Sequence, residues 1–593
     1  MGKLIEYYTR LFIHIANQKT NISYKTTRSE LSEILVCSER NVIHIINKLE
    51  EERWIETIRG RGRGNATQMT FHHTLDTMFE YFTKINPKTA DIDELISIIE
   101  ESQLEQKKDV INSLIVKLFG IDGSSTKQVK DNIEILKIPY FRPLYSLEPS
   151  QAERQTERHI VRQMFNTLVI FDEETNRMKP SLAHYWEVKE GGKRVTFYLR
   201  KGILFHNYKT LTSADVKFTF ERLQETDVKW IIKDLKSITC VGNYVVQFEF
   251  TKPSYHWMFL VASSKCSIIP IDYGNKTLEE FSIHPIGSGP FKIMEHKQGV
   301  SFTFSVFENY FQERAHLDEI TIHILPSIEK YLHISALEDK PILYMPFTTK
   351  RREDSQLQFV ERSRLSVKYL VWNMKKDRIG TNPTLRKQLF ELLNTRNLID
   401  ELGYPRHEQT CSFIKSVSSM EGDTSPKLNE VELFYEPLTI MTYDLTPNVE
   451  DVNWIKQQCK KYGIPITIKS VPYATFIQES HKADIVLGEY VAEEIEENSL
   501  YHLYQSSNSV VPNLLDQENE GKLQHLLNEV TGKQSQNDRM NHLRKVEELL
   551  IEEHIVLPIY WTHQKASYNE NLMGVSLSSL GLLSFDTLFY RKT

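Results

Sequence analysis

Cysteine is scarce in this chain of 593 residues, and its arrangement excludes two classes of protein. No CxxC pair occurs, and the five cysteines are widely separated: Cys37, Cys240, Cys266, Cys411 and Cys459. A disulfide framework uses an even number of cysteines, and a zinc ribbon uses CxxC pairs. We therefore expect neither, and we expect reduced thiols, as in a protein of the cytosol.

Long apolar runs and targeting signals are also missing. No stretch of about 18 consecutive apolar residues occurs, so we predict no membrane-spanning helix and no membrane partner. The first residues, MGKLIEYYTRLFIHIANQKT, lack the apolar segment and the small-residue cleavage site of a signal peptide. A myristoylation signal needs serine or threonine at position 6, where this chain has Glu6. We expect a cytoplasmic protein.

Catalytic and nucleotide-binding motifs are absent as well. None of the patterns GxSxG, HExxH and GxxxxGK[ST] occurs in the sequence. The 79 acidic residues are scattered, and no pair of them indicates a general acid and a general base. We therefore expect no enzyme activity, no cofactor and no metal ion.

Acidic and basic residues are nearly balanced over the whole chain but not within its first part. The formal net charge of -7 excludes a protein that is basic throughout. Residues 1–70 carry 11 lysines and arginines against 8 acidic residues. One small basic module at the start of the chain is therefore compatible with nucleic-acid binding.

The stretch Leu182–Leu223 has the pattern of a strand, a turn and a helix. Apolar and polar residues alternate from Val195 to Leu199, which predicts a half-buried strand. Thr212 then stands at the cap of a helix that has Asp215 in its first turn. The pattern predicts one compact α/β unit.

This stretch resembles the signature of the family 5 solute-binding proteins, the oligopeptide- and dipeptide-binding class of bacterial ABC importers. The resemblance continues at His284–Phe291, which reads HPIGSGPF, and at Tyr369–Met374, which reads YLVWNM. It implies a two-lobed α/β fold of the periplasmic-binding-protein type (class II), with the ligand bound between the lobes. Binding proteins of importers are exported, and this sequence shows no export signal.

Residues 1–71 predict three short helices followed by a β-hairpin. The predicted elements are a helix at residues 3–16, a short helix after Thr27, a helix at 39–51, and strands at 54–58 and 68–71. Thr27 and Glu30 form the pattern of a capping box. The order of elements predicts a winged helix-turn-helix, whose third helix enters the major groove of DNA.

Polar residues of this module are the predicted DNA contacts. They are Ser38, Arg40, Asn41, His44 and Lys48 on the third helix and its cap, and Arg59, Arg61 and Arg63 in the turn of the hairpin. Polar residues at the start of the helix can reach base edges, and arginines between glycines suit phosphates or a narrow minor groove. A merely solvated helix face or a flexible loop would have the same composition.

The chain after residue 71 divides into three predicted parts. The predicted parts are a helical extension at 72–119, a linker at 120–132 and a solute-binding-like domain at 133–593, with lobe I at about 133–367 and 562–593 and lobe II at about 368–561. The linker contains glycines and serines, which are typical of such segments. The sequence therefore predicts a multidomain α/β protein.

A winged helix, a helical extension and a family 5 binding domain, in this order, resemble the SgrR-type transcriptional regulators. The stretches YFRPLYSLEP from Tyr140 and ERHIVRQMFNTLVIFDEET from Glu157 add to the resemblance. It implies that the N-terminal module binds double-stranded DNA. It also implies that the binding domain senses a small molecule, namely a sugar, a sugar phosphate or a short peptide.

By position in the family, five residues are candidates to contact this molecule: Arg142, Trp372, Asn373, Glu489 and Tyr490. Trp372 could instead only pack within its strand, and Arg142 could pair with a carboxylate. One winged helix contacts few bases, so a homodimer is a reasonable form. Two alternatives remain open. The chain could be an oligopeptide-binding protein of an importer with an N-terminal interaction module, or the winged helix could bind a protein instead of DNA.

Overall fold

The computed structural model describes residues 2–16, 19–58, 66–85, 89–119, 133–140, 142–325, 344–345, 358–393, 395–415, 436–568 and 570–591. The chain forms an N-terminal module, a helical extension and two α/β lobes, which confirms the predicted fold class. The predicted wing residues Arg59, Arg61 and Arg63 lie outside the described residues.

The N-terminal module contains the predicted helices and hairpin, together with one further strand. Its elements are α1 (Gly2–Ile15), β1 (Ser23–Thr26), α2 (Arg28–Ile34), α3 (Glu39–Glu51), β2 (Ile55–Ile58) and β3 (Thr67–Phe71). They form an antiparallel sheet in the order β1-β3-β2. Strand β1 carries no sequence signal, because its four residues, SYKT, show no apolar alternation.

The starts of α2 and α3 differ in how they are capped. The Thr27 hydroxyl accepts a hydrogen bond from the Glu30 amide, and the Glu30 carboxylate accepts one from the Thr27 amide, each at 3.3 Å. The predicted capping box is therefore present. Ser38 occupies the cap position of α3 with extended backbone, but its side chain makes no capping hydrogen bond.

Three helices extend the module toward lobe I: α4 (Leu75–Lys84), α5 (Thr89–Glu101) and α6 (Lys107–Phe119). Arg10 of α1 pairs with Glu94 of α5 at 2.8 Å, and Lys117 of α6 pairs with Glu80 of α4 at 2.9 Å. The Tyr8 hydroxyl donates to the His73 carbonyl at 2.6 Å. Helix α6 also contacts β4, the first strand of lobe I.

Lobe I is built from two four-stranded sheets and short helices. Its elements are β4 (Ile135–Tyr140), α7 (Gln155–Met164), β5 (Val169–Asp172), β6 (Arg177–Pro180), β7 (Ala183–Lys189), β8 (Arg194–Leu199), α8 (Ser213–Glu221), β9 (Leu235–Cys240), β10 (Val245–Phe250), α9 (Trp257–Leu260), α10 (Leu278–Ile283), β11 (Phe291–Lys297), β12 (Ser301–Val306) and β13 (Glu319–Ile324). The sheets have the orders β7-β8-β10-β9 and β11-β12-β13-β4.

The stretch that carries the family resemblance folds as predicted. Strand β8 buries Val195, Phe197 and Leu199 in the core of this half of lobe I. The Thr212 amide donates to the Asp215 carboxylate at 2.8 Å, so Thr212 caps α8. The sequence pattern of a strand, a turn and a capped helix is therefore confirmed.

Lobe II contains the largest sheet. Its elements, with the C-terminal strands, are β14 (Tyr344–Met345), β15 (Gln358–Trp372), α11 (Asp377–Gly380), α12 (Pro383–Leu392), α13 (Thr395–Leu402), β16 (Arg406–Gln409), β17 (Leu438–Tyr443), α14 (Thr446–Lys461), β18 (Ile466–Val471), α15 (Tyr473–Glu479), β19 (Ile485–Val491), α16 (Glu496–Gln505), α17 (Val510–Leu514), α18 (Gln517–Thr531), α19 (Gln536–Glu552), β20 (Val556–Tyr568), β21 (Leu572–Met573) and β22 (Phe589–Tyr590). The sheet has the order β14-β20-β15-β19-β17-β18, and β16 pairs with β20.

Two long strands connect the lobes. Strands β15 and β20 pair antiparallel from Gln358 opposite Tyr568 to Val371 opposite Val556. The predicted lobe boundaries, at 367/368 and 561/562, fall within these two strands. Movement of one lobe against the other must therefore bend or twist this pair.

Candidate functional site

The first candidate site is the outward face of α3. The helix buries Val42, Ile45, Ile46 and Leu49 against the rest of the module. The residues predicted to contact DNA, Arg40, Asn41, His44 and Lys48, are exposed, and Ser38 is exposed at the cap. The described part of the predicted DNA-binding set thus lies on one accessible surface. Whether it binds DNA stays a prediction.

Two exposed residues of α3 are missing from the predicted set. Asn47 follows Arg40 by seven residues, which is two helical turns, and Ile43 lies between them. Both are exposed on the same side as Arg40 and His44. The helical period could have identified Asn47, because residues seven apart share a face.

The second candidate site is a cavity of about 150 Å³ between the lobes. Lobe I contributes Tyr140 at the end of β4 and Arg142 after it. It also contributes five residues just before and within the first turn of α7, namely Glu153, Arg154, Gln155, Thr156 and Arg158. Lobe II contributes residues from β15, β17, α15, β19 and α16. The aromatic side chains that line the cavity are Tyr140, Tyr369, Tyr443, Tyr473, Phe476 and Tyr490.

Glu489 lines this cavity and is held by three neighbouring side chains. Its carboxylate accepts hydrogen bonds from Lys368 Nζ at 2.8 Å, from the Tyr443 hydroxyl at 2.6 Å and from Ser366 Oγ at 2.6 Å. Burial by itself raises the pKa of Glu489, but Lys368 and the hydrogen bonds lower it to about 2. The carboxylate is therefore ionised and fixed in position.

Glu153 of lobe I is a second carboxylate that lines this cavity. Lys265 Nζ lies 2.6 Å from one of its oxygens, and Arg158 lies 3.2 Å from the other. His502 of lobe II approaches the same carboxylate at 3.4 Å. Burial opposes ionisation, but these neighbours, Lys265 foremost, hold the pKa of Glu153 well below its usual range.

Ion pairs close the lobes over the cavity. Arg158 and Arg162 of α7 both bind Glu493, which follows β19, and Arg162 also binds Glu494 at 2.6 Å. His256 of lobe I also contacts a third acidic residue of lobe II, Glu497. The described residues thus form a closed cleft.

The structure brings together three of the five predicted ligand contacts. Arg142, Glu489 and Tyr490 line the cavity. Trp372 does not, because it is fully buried in the core of lobe II and its ring packs against Phe390, with 5.0 Å between centroids.

Asn373 is also directed away from the cleft. Its side-chain amide donates to the carbonyls of His481 and Ala483, at 3.0 and 2.8 Å. These bonds tie the end of β15 to the segment before β19, which is a structural role. The alternation of side chains along β15 explains the correction at Trp372, since Tyr369 faces the cavity and Trp372 lies on the opposite face. Asn373 follows the last residue of β15, and its two hydrogen bonds set the direction of its side chain.

Comparison with protein families decides the class of the larger domain. Residues 177–510 match the model of the bacterial extracellular solute-binding proteins, family 5 (middle region). The chain belongs to this family. Residues 3–119 match a second model, the N-terminal domain of the sugar transport-related sRNA regulators (SgrR).

Two relatives align with most of the chain. YhjP of Bacillus subtilis, described as uncharacterized, is 26% identical over 607 residues and covers 100% of both chains. The HTH-type transcriptional regulator SgrR of Yersinia enterocolitica is 27% identical over 481 residues, which are 80% of this chain and 81% of the relative. The resemblance to SgrR-type regulators is therefore confirmed.

Solved structures confirm the two-lobed fold. A dipeptide-binding protein from Pseudoalteromonas, in complex with Met-Leu, has a TM-score of 0.67 at 18% identity and covers 77% of this chain and 100% of its own. The oligopeptide-binding protein AppA of Bacillus subtilis, in complex with a nonapeptide, has a TM-score of 0.63 at 19% identity, covering 78% of this chain and 100% of its own. These families contain regulators and solute-binding proteins.

Several residues that line the cavity are not among the five predicted ligand contacts. Tyr140 and Tyr443 are the last residues of β4 and β17, each of which pairs in parallel with a neighbouring strand. Ligands of open α/β sheets bind beyond the carboxyl ends of parallel strands, so the strand ends could have indicated both tyrosines. Tyr473 and Arg158 carry no comparable signal.

No described helix has both the length and the apolar character that crossing a membrane requires. Within the same residues, no group of three histidine, cysteine, aspartate or glutamate side chains is arranged to hold a metal ion.

Proposed function

We propose that the protein is a DNA-binding transcription regulator whose interlobe cleft binds a small molecule and thereby changes DNA binding. The observation that carries the proposal is the exposed polar face of α3, within a module that matches the SgrR N-terminal family. The proposed ligand is a sugar, a sugar phosphate or a short peptide. The proposal includes action in the cytoplasm, where bacterial DNA lies, and a homodimer on DNA.

The path by which a ligand would act on the DNA-binding module runs through β4. This strand ends at Tyr140 in the cavity, and α6 of the helical extension contacts it. Helix α6 is joined to α4 by the ion pair of Lys117 and Glu80. A ligand that favours the closed lobes would therefore fix β4 and, through α6, the position of the module. Such coupling is allosteric if ligand affinity differs between two states of the protein.

Retention of DNA across a salt series tests the proposal. The full chain is mixed with the fragment upstream of its own gene, and Arg40→Ala/Lys48→Ala and Arg61→Ala/Arg63→Ala variants are compared with it. Each lost phosphate contact lowers the slope of log affinity against log salt by about one. Lys236→Ala, which removes an exposed lysine from β9 of lobe I, is the matched control.

Loss of DNA retention in both double variants, together with unchanged retention in Lys236→Ala, supports the proposal of a DNA-binding regulator. Retention that is weak, independent of sequence and unchanged in the variants contradicts it. That second result would favour an importer-type binding protein with an N-terminal interaction module. The observation that supports this alternative is the similarity of the lobes to solved proteins in complex with peptides.

A further inference from the structure

Helix α3 carries one apolar side chain that lies outside the core of the N-terminal module. The other apolar residues of the helix are buried in that core, namely Val42, Ile45, Ile46 and Leu49. Ile43 is 36% exposed and is not part of the core. Its side chain therefore contributes little to the packing that holds α3 to the rest of the module.

Ile43 lies between two exposed polar residues of α3. Arg40 precedes it by three residues and Asn47 follows it by four, so the three side chains share one side of the helix. Ile43 is about 4.5 Å from Arg40 and about 6 Å from Asn47 along the helix axis. These distances correspond to one or two base-pair steps of about 3.4 Å. The three side chains can therefore contact neighbouring base pairs.

The hairpin covers the same side of α3 only near the end of the helix. Glu50, seven residues after Ile43, accepts hydrogen bonds from the Thr57 amide at 3.0 Å and from the Thr57 hydroxyl at 2.6 Å. Ile43 lies in the N-terminal half of α3, where this side stays exposed. In helix-turn-helix proteins, the residues near the N-terminus of the recognition helix contact base edges.

An exposed isoleucine gains free energy only from a partner that removes it from water. Single exposed apolar residues are common on protein surfaces. Ile43 differs from such residues by its place between Arg40 and Asn47, on the face proposed to bind DNA. The major groove of B-DNA presents hydrogen-bond donors and acceptors and one kind of apolar group, the C5-methyl group of thymine. This methyl group is the partner that suits Ile43.

We infer that Ile43 contacts the C5-methyl group of a thymine and thereby selects an A·T pair at one position of the DNA site. This inference rests on the proposed DNA-binding function and adds a specificity-determining residue to it. Arg40 and Asn47 offer hydrogen bonds to purine edges, for which guanine and adenine are the usual partners. The DNA site then contains a thymine within one or two base pairs of those purines.

Removal of single methyl groups from the DNA tests the inference. The preferred site of the full-length protein is selected from a random DNA pool, and each of its thymines is then replaced in turn by uracil. Uracil lacks the C5-methyl group and keeps every hydrogen-bonding group of thymine. Affinities are measured by fluorescence anisotropy at fixed salt. For the wild type we expect one thymine at which the replacement weakens binding about fourfold, the factor that corresponds to one buried carbon group.

Three variants connect this methyl group to Ile43. Ile43→Ala is expected to bind the thymine and uracil forms of the site equally. Ile22→Ala is the matched control and is expected to keep the fourfold preference, because Ile22 is 46% exposed in the same module but lies before β1. Ile43→Val keeps a branched apolar side chain and is expected to keep part of the preference. Thermal melting verifies folding, and Ile43→Val decides if Ile43→Ala binds too weakly to be measured.

A preference for thymine over uracil that Ile43→Ala loses and Ile22→Ala keeps supports the inference. Equal binding of both forms by the wild type at every thymine overturns it and leaves the proposed regulator intact, since sequence-specific retention is measured independently. A preference that Ile43→Ala and Ile43→Val share in full with the wild type also overturns it, because another group then contacts the methyl. Selection that yields no preferred site contradicts the DNA-binding function itself and overturns the inference with it.

Discussion

Arg158 of lobe I and Glu493 of lobe II form a buried ion pair across the cleft. Arg162, one helical turn further along α7, binds the same glutamate at 2.7 Å and Glu494 at 2.6 Å. The closed arrangement is therefore stabilised by charges that belong to the chain itself. Separation of the lobes would return these groups to water, so the balance between closed and open forms depends on them.

Neutralising the acidic side of this contact should open the cleft. In a Glu493→Gln/Glu494→Gln variant, closure would leave Arg162 without a carboxylate and Arg158 with Glu153 alone. The loss disfavours the closed form by an amount on the order of 3 kcal/mol. We expect a larger radius of gyration in small-angle X-ray scattering. Glu518→Gln is the control, because it breaks an exposed pair with Lys522 within α18, and such pairs contribute little. Superimposable scattering curves for the double variant and the wild type would refute this interpretation.

The two caps of the helix-turn-helix should respond differently to the same kind of substitution. Thr27→Ala removes a capping box and should destabilise the N-terminal module by about 1 kcal/mol. Ser38→Ala removes a hydroxyl that makes no capping hydrogen bond, so it should change stability far less. Denaturant unfolding of the full chain, followed by a probe in the N-terminal module, measures both. Equal losses from the two substitutions would contradict the described caps.

Residues on the face of α3 should separate into those that read bases and those that bind phosphate. Asn47→Ala should relax the preference at one base pair by about 1–3 kcal/mol, because Asn47 shares the outward face with Arg40. Lys48→Ala should weaken binding to all sequences alike and lower the salt slope by about one. Selection from a random DNA pool measures the preference. If Asn47→Ala leaves the selected sequence unchanged, α3 does not contact bases through this residue.

Glu547 should make the stability of lobe II depend on pH. It is buried on α19, where its carboxylate accepts a hydrogen bond from Ser412 Oγ at 2.8 Å, and burial raises its pKa to about 7. Between pH 4.5 and 7 the folded state therefore holds this proton more tightly than the unfolded state, so stability falls as pH rises through that window. The effect is on the order of 3 kcal/mol.

Glu547→Gln should remove this dependence, and melting temperatures at pH 5 and pH 7.5 measure it. The control is Glu548→Gln, which changes the exposed neighbouring residue on the same helix. We expect the wild type and the control to lose stability between the two pH values and Glu547→Gln to lose less. A profile of Glu547→Gln that parallels the wild type would contradict the raised pKa.

The local elements were predictable because their signals lie within a few residues. The Thr27 and Glu30 capping box, the alternating β8 and the three helices of the N-terminal module follow from spacing alone. Strand β1 could not be predicted in this way, because its four residues have no apolar alternation and it forms by pairing with β3. In that case tertiary contact, rather than propensity, fixes the strand.

The cavity was predictable only in part, for two physical reasons. Strand β15 is buried on both faces from Leu365 to Trp372, so its sequence does not reveal that Tyr369 faces the cleft and Trp372 the opposite core. The ion pairs of Arg158 with Glu493 join residues more than 300 positions apart, and nothing in the sequence pairs them. Tyr140 and Tyr443, by contrast, stand at strand ends where a ligand is expected.

The most direct test of the account is the affinity of the full chain for its selected DNA site, measured at fixed salt with and without a metabolite extract. The account predicts that the extract changes this affinity. It also predicts that the change disappears in Tyr473→Ala, which removes one wall of the cavity, while DNA binding without the extract persists. A DNA affinity that is identical with and without the extract would contradict the central claim that the cleft controls the N-terminal module.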